Sequence, residues 1–152
     1  MSKTCCIIGE KELINYQEER ARNYLMNEVE FQISNGYTHF IISSMTDTDI
    51  LAAKILTALK QKYKEIKLEI VFSNKAEICF VPDEIKLNLP SFDYAYKMED
   101  KYNNSSLKEC YQYMINKSDI IIVIWNGKID SEIGKQINCA KSKDKKVLAR
   151  IV

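Results

Sequence analysis

The polar turn from Asn126 to Glu132 (Asn-Gly-Lys-Ile-Asp-Ser-Glu) carries residue types that can hold a small ligand. The amide of Asn126, the hydroxyl of Ser131 and the carboxylate of Glu132 could bind ribose hydroxyls or a base edge, and Gly127 lets the backbone approach a ligand closely. The turn follows Ile120–Trp125, where five consecutive β-branched residues predict a strand that is buried on both faces. Ligands of open parallel sheets bind beyond the carboxyl ends of the strands, so this turn is a candidate site.

A second group of hydroxyls and carboxylates lies between a predicted strand and a predicted helix, from Ser43 to Asp49 (Ser-Ser-Met-Thr-Asp-Thr-Asp). In one interpretation Ser43, Ser44 and Asp49 bind a ribose or a base edge. In the other interpretation these residues only cap the helix, for which Thr and Asp are standard choices. Both interpretations stay open. Gly9 and Glu10, which end the first predicted strand, complete the expected pocket walls.

Glu132 also allows a catalytic interpretation. The run Glu132-Ile133-Gly134 resembles the nucleoside deoxyribosyltransferases, in which a glutamate attacks the anomeric carbon. A carboxylate held against a sugar C1 can form a glycosyl ester, so N-glycosidase or (deoxy)ribosyl transferase chemistry is one hypothesis. The alternative is that an acidic residue in a first helical turn only complements the helix dipole. Gly134-Lys135 is not a P-loop, because Ile129 stands where that motif needs glycine.

Composition excludes several classes of function. A net charge of +1 argues against a binder of duplex nucleic acid. The amino terminus runs directly into a strand pattern and no stretch is apolar for long enough to span a bilayer, so we expect a cytoplasmic protein. The single histidine, His39, lies in a strand and is more typical of a structural imidazole than of a general base. With no C-x-x-C pair we expect no metal site and reduced structural thiols at the five cysteines, Cys5, Cys6, Cys79, Cys110 and Cys139.

Strand and helix patterns alternate along almost the whole chain, which predicts a parallel sheet with helices on both faces. Strands are predicted at Thr4–Ile8, Thr38–Ser43, Ile66–Phe72, Ile120–Trp125 and Val147–Val152. Helices are predicted from about Tyr16 to Asn35, after the caps at Thr46–Asp49, after Ser105-Ser106, and from about Ser131 to Ser142. The expected fold is a single α/β Rossmann-like domain over residues 1–152.

The stretch 73–104 holds both prolines and shows no sustained period, so we interpret it as an irregular, divergent insertion or a set of short elements. Aromatic residues concentrate in and after it: Phe92, Tyr94, Tyr96, Tyr102, Tyr111 and Tyr113. Such residues could form a flap that stacks on a purine, but they more often cover a sheet edge or fill an interface. We therefore expect a homo-oligomer formed through this Tyr-rich region, residues 92–113.

Four segments taken together resemble the YpsA-like family of the SLOG superfamily, Rossmann-like proteins related to the LOG enzymes and to DprA. They are Thr-Cys-Cys-Ile-Ile-Gly (4–9), Gly-Tyr-Thr-His-Phe-Ile-Ile-Ser (36–43), Tyr-Met-Ile through Ser-Asp (113–119) and Asn-Gly-Lys (126–128). The resemblance covers roughly residues 4–68 and 104–152. It implies a pocket for a nucleotide or nucleotide derivative, such as ADP-ribose or NAD, at the carboxyl ends of the first, second and fourth of the predicted strands.

The chain departs from the family pattern at the pocket itself. Gly-His-Arg becomes Gly9-Glu10-Lys11, and a glycine-rich turn becomes Ser43–Asp49, with no glycine. The closing Gly-Gly-Thr becomes roughly Asp130-Ser131-Glu132. Fewer glycines and more carboxylates make the pocket less suited to a pyrophosphate. We therefore expect non-catalytic binding of a nucleotide-derived ligand, with two alternatives: the glycosidase chemistry of Glu132, and a degenerate domain that serves as a protein-interaction module.

Overall fold

The computed structural model describes residues 3–73, 81–98 and 107–152. Within these ranges strands and helices alternate as the sequence predicts. The strands are β1 Lys3–Gly9, β2 Tyr37–Ile42, β3 Lys67–Phe72, β4 Tyr94–Lys97, β5 Ile120–Trp125 and β6 Lys146–Ile151. The helices are α1 Asn15–Ser34, α2 Asp47–Lys62, α3 Asp83–Asn88, α4 Leu107–Lys117 and α5 Glu132–Ser142, and a 3-10 turn at Leu89–Ser91 follows α3.

Local sequence explains where the two long helices begin and end. On α1 the apolar residues Ala21, Leu25 and Val29 recur every four positions and are buried. The chain leaves α1 through Gly36, whose φ of +94° is a conformation that residues with a Cβ rarely adopt. Helix α2 begins at a capping box, in which the Thr46 hydroxyl accepts a hydrogen bond from the backbone amide of Asp49.

All six strands are parallel, in the order β4-β3-β2-β1-β5-β6. Alternate side chains of the central strands enter two separate cores. Cys5 and Ile7 of β1 face helices α1, α2 and α3, whereas Cys6 and Ile8 face α4 and α5. The predicted fold class, an α/β Rossmann-like domain with a parallel sheet and helices on both faces, is confirmed. No helix in the described ranges is both long enough and apolar enough to cross a bilayer.

The strand order places a crevice at one point of the sheet. From β1 the chain adds β2, β3 and β4 on one side, and it then returns to add β5 and β6 on the other side. The connections after β1 and β5 therefore leave in opposite directions, and such a topological switch point is where open α/β sheets bind ligands. Gly9 at the end of β1 pairs with Ile124 at the end of β5, so the two connections start side by side.

The described part of 73–104 consists of short elements, one of which is a strand that the sequence patterns did not reveal. Strand β4 pairs with β3 from Tyr94 to Lys97 and forms one edge of the sheet. Residues 74–80 and 99–106, which include Cys79, Tyr102 and the predicted caps Ser105 and Ser106, lie outside the described residues. The other cysteines form no disulfide with one another, and Cys5, Cys6 and Cys110 are buried.

The start of α5 packs so closely on the preceding turn that only glycine fits at Gly134. A Cβ at this position would lie 2.3 Å from the carbonyl oxygen of Ile129 and 2.7 Å from that of Lys128. We expect Gly134→Ala to lower the free energy of unfolding by about 2 kcal/mol, because both obstacles are backbone atoms. Urea unfolding measures this loss. Lys135→Ala, at the exposed next position, is the control and should change stability by less than about 0.5 kcal/mol; equal losses in the two variants would contradict the prediction.

Candidate functional site

Gly9, at the carboxyl end of β1, is closed in by protein atoms. A Cβ here would lie 2.5 Å from the Thr48 hydroxyl oxygen and 2.9 Å from Cβ of Ile124. Its carbonyl oxygen accepts a hydrogen bond from the buried Tyr111 hydroxyl, at 3.1 Å. The first turn of α2 therefore explains the glycine at position 9 without a ligand, although Gly9 was expected in the pocket wall.

Glu10 and Asn126 meet across the switch point, as their positions in the sequence predict. One carboxylate oxygen of Glu10 accepts a hydrogen bond from the backbone amide of Asn126, at 3.2 Å. The other oxygen lies 3.4 Å from the side-chain nitrogen of Asn126. Burial raises the pKa of the Glu10 carboxyl, and the Asn126 amide and the charge of Lys128 partly counter that rise. Both side chains keep partial exposure, so a polar pair lies open at the mouth of the crevice.

The β2–α2 turn folds around the carboxylate of Asp49. Its Oδ2 accepts hydrogen bonds from the Ser43 hydroxyl at 2.5 Å and from the amides of Met45 and Thr46, each at 3.1 Å. Consecutive amides at the start of a helix are the groups with which Rossmann-like proteins bind phosphate. Here an internal anion takes that place, so the turn is already neutralised. Ser43 and Asp49 are brought together as predicted, but their polar groups bond each other.

Asp49 is also the most strongly desolvated carboxyl of the turn. Burial raises its pKa, and the hydrogen bonds from Ser43, Thr46 and Met45 lower it only in part. The second oxygen, Oδ1, is buried and has no hydrogen-bond partner among the described residues. Burial raises the pKa of the Tyr111 hydroxyl well above its usual value and the charge of Asp49 raises it further, so Tyr111 stays a hydrogen-bond donor.

Contacts or backbone conformation within the protein account for three of the predicted ligand residues. The Ser44 hydroxyl donates to the carbonyl of Val71 on β3, at 3.3 Å. The Ser131 hydroxyl caps α5, accepting from the Gly134 amide and donating to the carbonyl of Lys128. Gly127 has a φ of +86° and faces the Ile151 side chain of β6, so turn conformation explains this glycine. Contacts within the protein thus account for the hydroxyls of Ser44 and Ser131 and for the glycine at position 127, and the ligand roles expected for these residues stay predictions.

Glu132, the candidate nucleophile, is exposed in the first turn of α5. Its Oε1 accepts from the side-chain nitrogen of Gln136, at 3.1 Å. The oxygen of the same Gln136 amide, Oε1, is buried and has no hydrogen-bond partner among the described residues. No set of three or more His, Cys, Asp and Glu side chains in the described ranges is arranged to hold a metal ion.

Tyr111 is the residue at this site that sequence reasoning missed. The predicted oligomer interface included it, but its side chain is only 1% exposed and it joins α4 to the end of β1. The signal available in the sequence was its place beside Cys110 and one turn before Met114, on the apolar stripe of α4. The interface expected through residues 92–113 stays a prediction, but the buried Tyr111 side chain cannot contribute to it.

Comparison with known proteins identifies the family of the chain. A family model named YpsA, for the YspA SLOG family, matches residues 12–150. The chain belongs to this SLOG family. The match runs continuously through 73–104, where the resemblance seen in the sequence motifs was interrupted. No curated protein matches the chain.

Solved structures support the fold. The X-ray structure of TM1055, a structural genomics target, superposes with a TM-score of 0.64 at 12% identity, over 95% of this chain and 72% of that chain. A ketoreductase domain from the bacillaene assembly line is 11% identical, over 97% of this chain and 51% of that chain, with a TM-score of 0.35. The first comparison establishes a shared architecture only, and the second is too distant to add to it.

The raised pKa of Asp49 gives the β2–α2 turn a testable pH signature. In the unfolded chain the carboxyl ionises near pH 4, whereas the folded protein retains the proton to higher pH. Between the two values the folded state binds more protons, so the stability of the protein falls as the pH rises through this window. Asp49→Asn removes that titration. We expect the free energy of unfolding of the variant, relative to that of the wild type, to rise between pH 4 and pH 7.

Urea unfolding across this pH range measures the difference. Asp130→Asn, an exposed carboxylate on the turn before α5, is the matched control and should show no such trend. A stability difference for Asp49→Asn that is constant with pH would contradict the assignment of Asp49 as a strongly desolvated carboxyl.

Proposed function

We propose that this SLOG domain binds the nucleoside part of a nucleotide-derived ligand at the switch point between β1 and β5, without turning the ligand over. The observation that carries the proposal is the partly exposed Glu10–Asn126 pair at the mouth of the crevice. A carboxylate and an amide side by side can accept from, and donate to, the hydroxyls of a ribose. The family match and the Rossmann-like architecture support a nucleotide-related ligand at this edge.

The local electrostatics favour the nucleoside over the phosphate. The amides of Met45 and Thr46 already bind the Asp49 carboxylate, so they have no free hydrogen for a phosphate oxygen. Helix α5 is likewise capped by its own Ser131 hydroxyl. A phosphate placed at this edge would also face the carboxylates of Glu10 and Asp49. ADP-ribose and NAD would therefore bind through their adenosine part, with the pyrophosphate directed toward solvent.

The absence of turnover is proposed from the position of Glu132. The side chain is exposed and bonded within its own helix to Gln136, whereas the Glu10–Asn126 pair lies at the ends of β1 and β5. A glycosyl-transferring carboxylate must be held against the anomeric carbon, within hydrogen-bonding reach of the sugar. An acidic residue such as Glu132 in the first turn of α5 interacts favourably with the helix dipole, which accounts for it without catalysis.

Calorimetric titration and thermal shift with adenosine, AMP, ADP-ribose and NAD test the proposal. We expect adenosine to bind and each added phosphate to leave the affinity unchanged or lower. A ligand at 100 times its Kd should add about 2.7 kcal/mol to the free energy of unfolding. Glu10→Gln should weaken adenosine binding about ten- to a hundredfold, because hydrogen bonds to a charged group contribute about 1.5–3 kcal/mol.

Glu12→Gln is the matched control, since Glu12 is exposed on the same connection and is expected to leave the affinity unchanged. Chromatography of the incubated ligands should show them intact. Release of free base that is abolished in Glu132→Gln would overturn the non-catalytic assignment and favour the glycosidase hypothesis. If no ligand shifts the melting temperature, the nucleoside proposal is wrong and the interaction-module hypothesis takes its place.

A further inference from the structure

A buried carboxylate lies near the middle of β3, two strands away from β1 and the switch point. Glu69 projects from β3 toward α4, and its side chain is only 4% exposed. Three donors from two neighbouring elements surround it: Nε2 of His39 at 3.0 Å, the Tyr113 hydroxyl at 2.9 Å and Nζ of Lys117 at 3.4 Å. The structural role predicted for His39 fits this contact, whereas no sequence pattern pointed to Glu69 or Lys117.

The cluster is a fixed polar assembly with a defined protonation pattern. Burial alone would raise the pKa of Glu69, but the hydrogen bonds from His39 and Tyr113 and the charge of Lys117 outweigh it and hold that pKa below its usual value. An ionised carboxylate only accepts hydrogen bonds, so Nε2 of His39 must carry the hydrogen. Replacing such a buried ionic group by apolar side chains is often neutral or stabilising, so stability alone does not account for it.

The cluster forms the floor and one wall of a cavity of about 340 Å³. Aromatic rings line the rest of it. The rings of Tyr96 and Tyr113 stack with their centroids 4.4 Å apart, and those of His39 and Tyr94 stack at 5.8 Å. Tyr94 belongs to the edge strand β4 and is 52% exposed, so part of its surface is available to a guest. This volume falls within the range of small-molecule sites.

The hydrogen-bond donors and ring surfaces of the cavity that lack a partner among the described residues indicate which ligand it could bind. Nζ of Lys117 donates to Glu69 and to the Tyr113 hydroxyl, 3.2 Å away, which leaves it one hydrogen without a partner among the described residues, and its side chain is 45% exposed. The Glu69 charge is already balanced by Lys117, and Lys117 also lies 5.2 Å from the centre of the Tyr113 ring, where a cationic guest would bind. The free groups are thus one ammonium hydrogen and the exposed tyrosine surface.

We propose that the cavity between β4 and α4 is a second ligand site, which takes a planar aromatic molecule carrying a single carboxylate. The ring stacks on Tyr94 while the carboxylate accepts the free hydrogen of Lys117. The site is separate from the switch point, because its residues come from β2, β3, β4 and the second half of α4, whereas the switch point lies at the carboxyl ends of β1 and β5. Its occupancy does not depend on the function proposed for Glu10 and Asn126.

Titration of the full chain with 2-naphthoate, decahydro-2-naphthoate and 2-naphthamide, followed by calorimetry and amide NMR, tests this site. The second probe keeps the charge but lacks the planar ring, and the third keeps the ring but lacks the charge. We expect 2-naphthoate to bind with a Kd below about 1 mM and at least about tenfold more tightly than either analogue. The amide shifts should centre on Glu69 and Ala95, and the Asn126 amide should not move.

Lys117→Met removes the ammonium and keeps the aliphatic stem, and we expect it to weaken 2-naphthoate binding about tenfold or more. Lys108→Met, at an exposed position of the same helix, is the control and should not change the Kd. Because Lys117 is nearly half exposed, the variant should fold, which its amide spectrum will verify. The proposal is overturned if 2-naphthoate does not bind at about 1 mM or binds no more tightly than the non-planar acid. It is equally overturned if Lys117→Met leaves the Kd unchanged, or if the amide shifts appear at Asn126 instead of Ala95.

Discussion

Strands β1 and β5 lie at the centre of a parallel sheet, and both of their faces are removed from water. This constraint determines where the other elements lie, because such strands need a helical layer on each side. Helix α2 covers one face so closely that its Thr48 contacts Gly9, and α4 covers the other and reaches the same glycine through Tyr111. The end of β1 is thus held from both sides, and only the connections that leave the sheet here remain available to a ligand.

The carboxylate of Asp49 shows how a family pocket can keep its fold and change its electrostatics. A glycine-rich turn presents free amides, and a phosphate is the natural anion to fill them. In this chain the turn contains no glycine, and its amides close around an internal carboxylate instead. The carboxylate satisfies the first amides of α2 whether or not a ligand is present, and the same contacts occupy the groups that a phosphate would need. What stays partly exposed at this edge is the polar pair formed by the Glu10 carboxylate and the Asn126 side chain.

The sequence predicted the architecture well because each long element carries a strong periodic signal. Five consecutive β-branched residues at Ile120–Ile124 favour a buried strand, and the four-residue spacing on α1 favours an amphipathic helix. Strand β4 was missed because it is four residues long, and an edge strand with exposed side chains has no burial pattern to reveal it. The proximity of Glu10 and Asn126 followed from parallel topology. The directions of the Ser44 and Ser131 hydroxyls did not, because a serine beside a helix start can bond the protein or a ligand with equal chemistry.

Glu69 illustrates a signal that was present but needed tertiary pairing to interpret. Glu69 stands between Leu68 and Ile70 in a strand pattern, but its burial follows from partners that lie 30 and 44 or more residues away in the sequence. In the fold, α4 connects this cluster to the switch point. Tyr111 bonds the end of β1, and Tyr113, two residues later, bonds Glu69 on β3. Since both hydrogen bonds fix the rotation and height of one short helix, α4 cannot shift over the sheet without breaking contacts at both places.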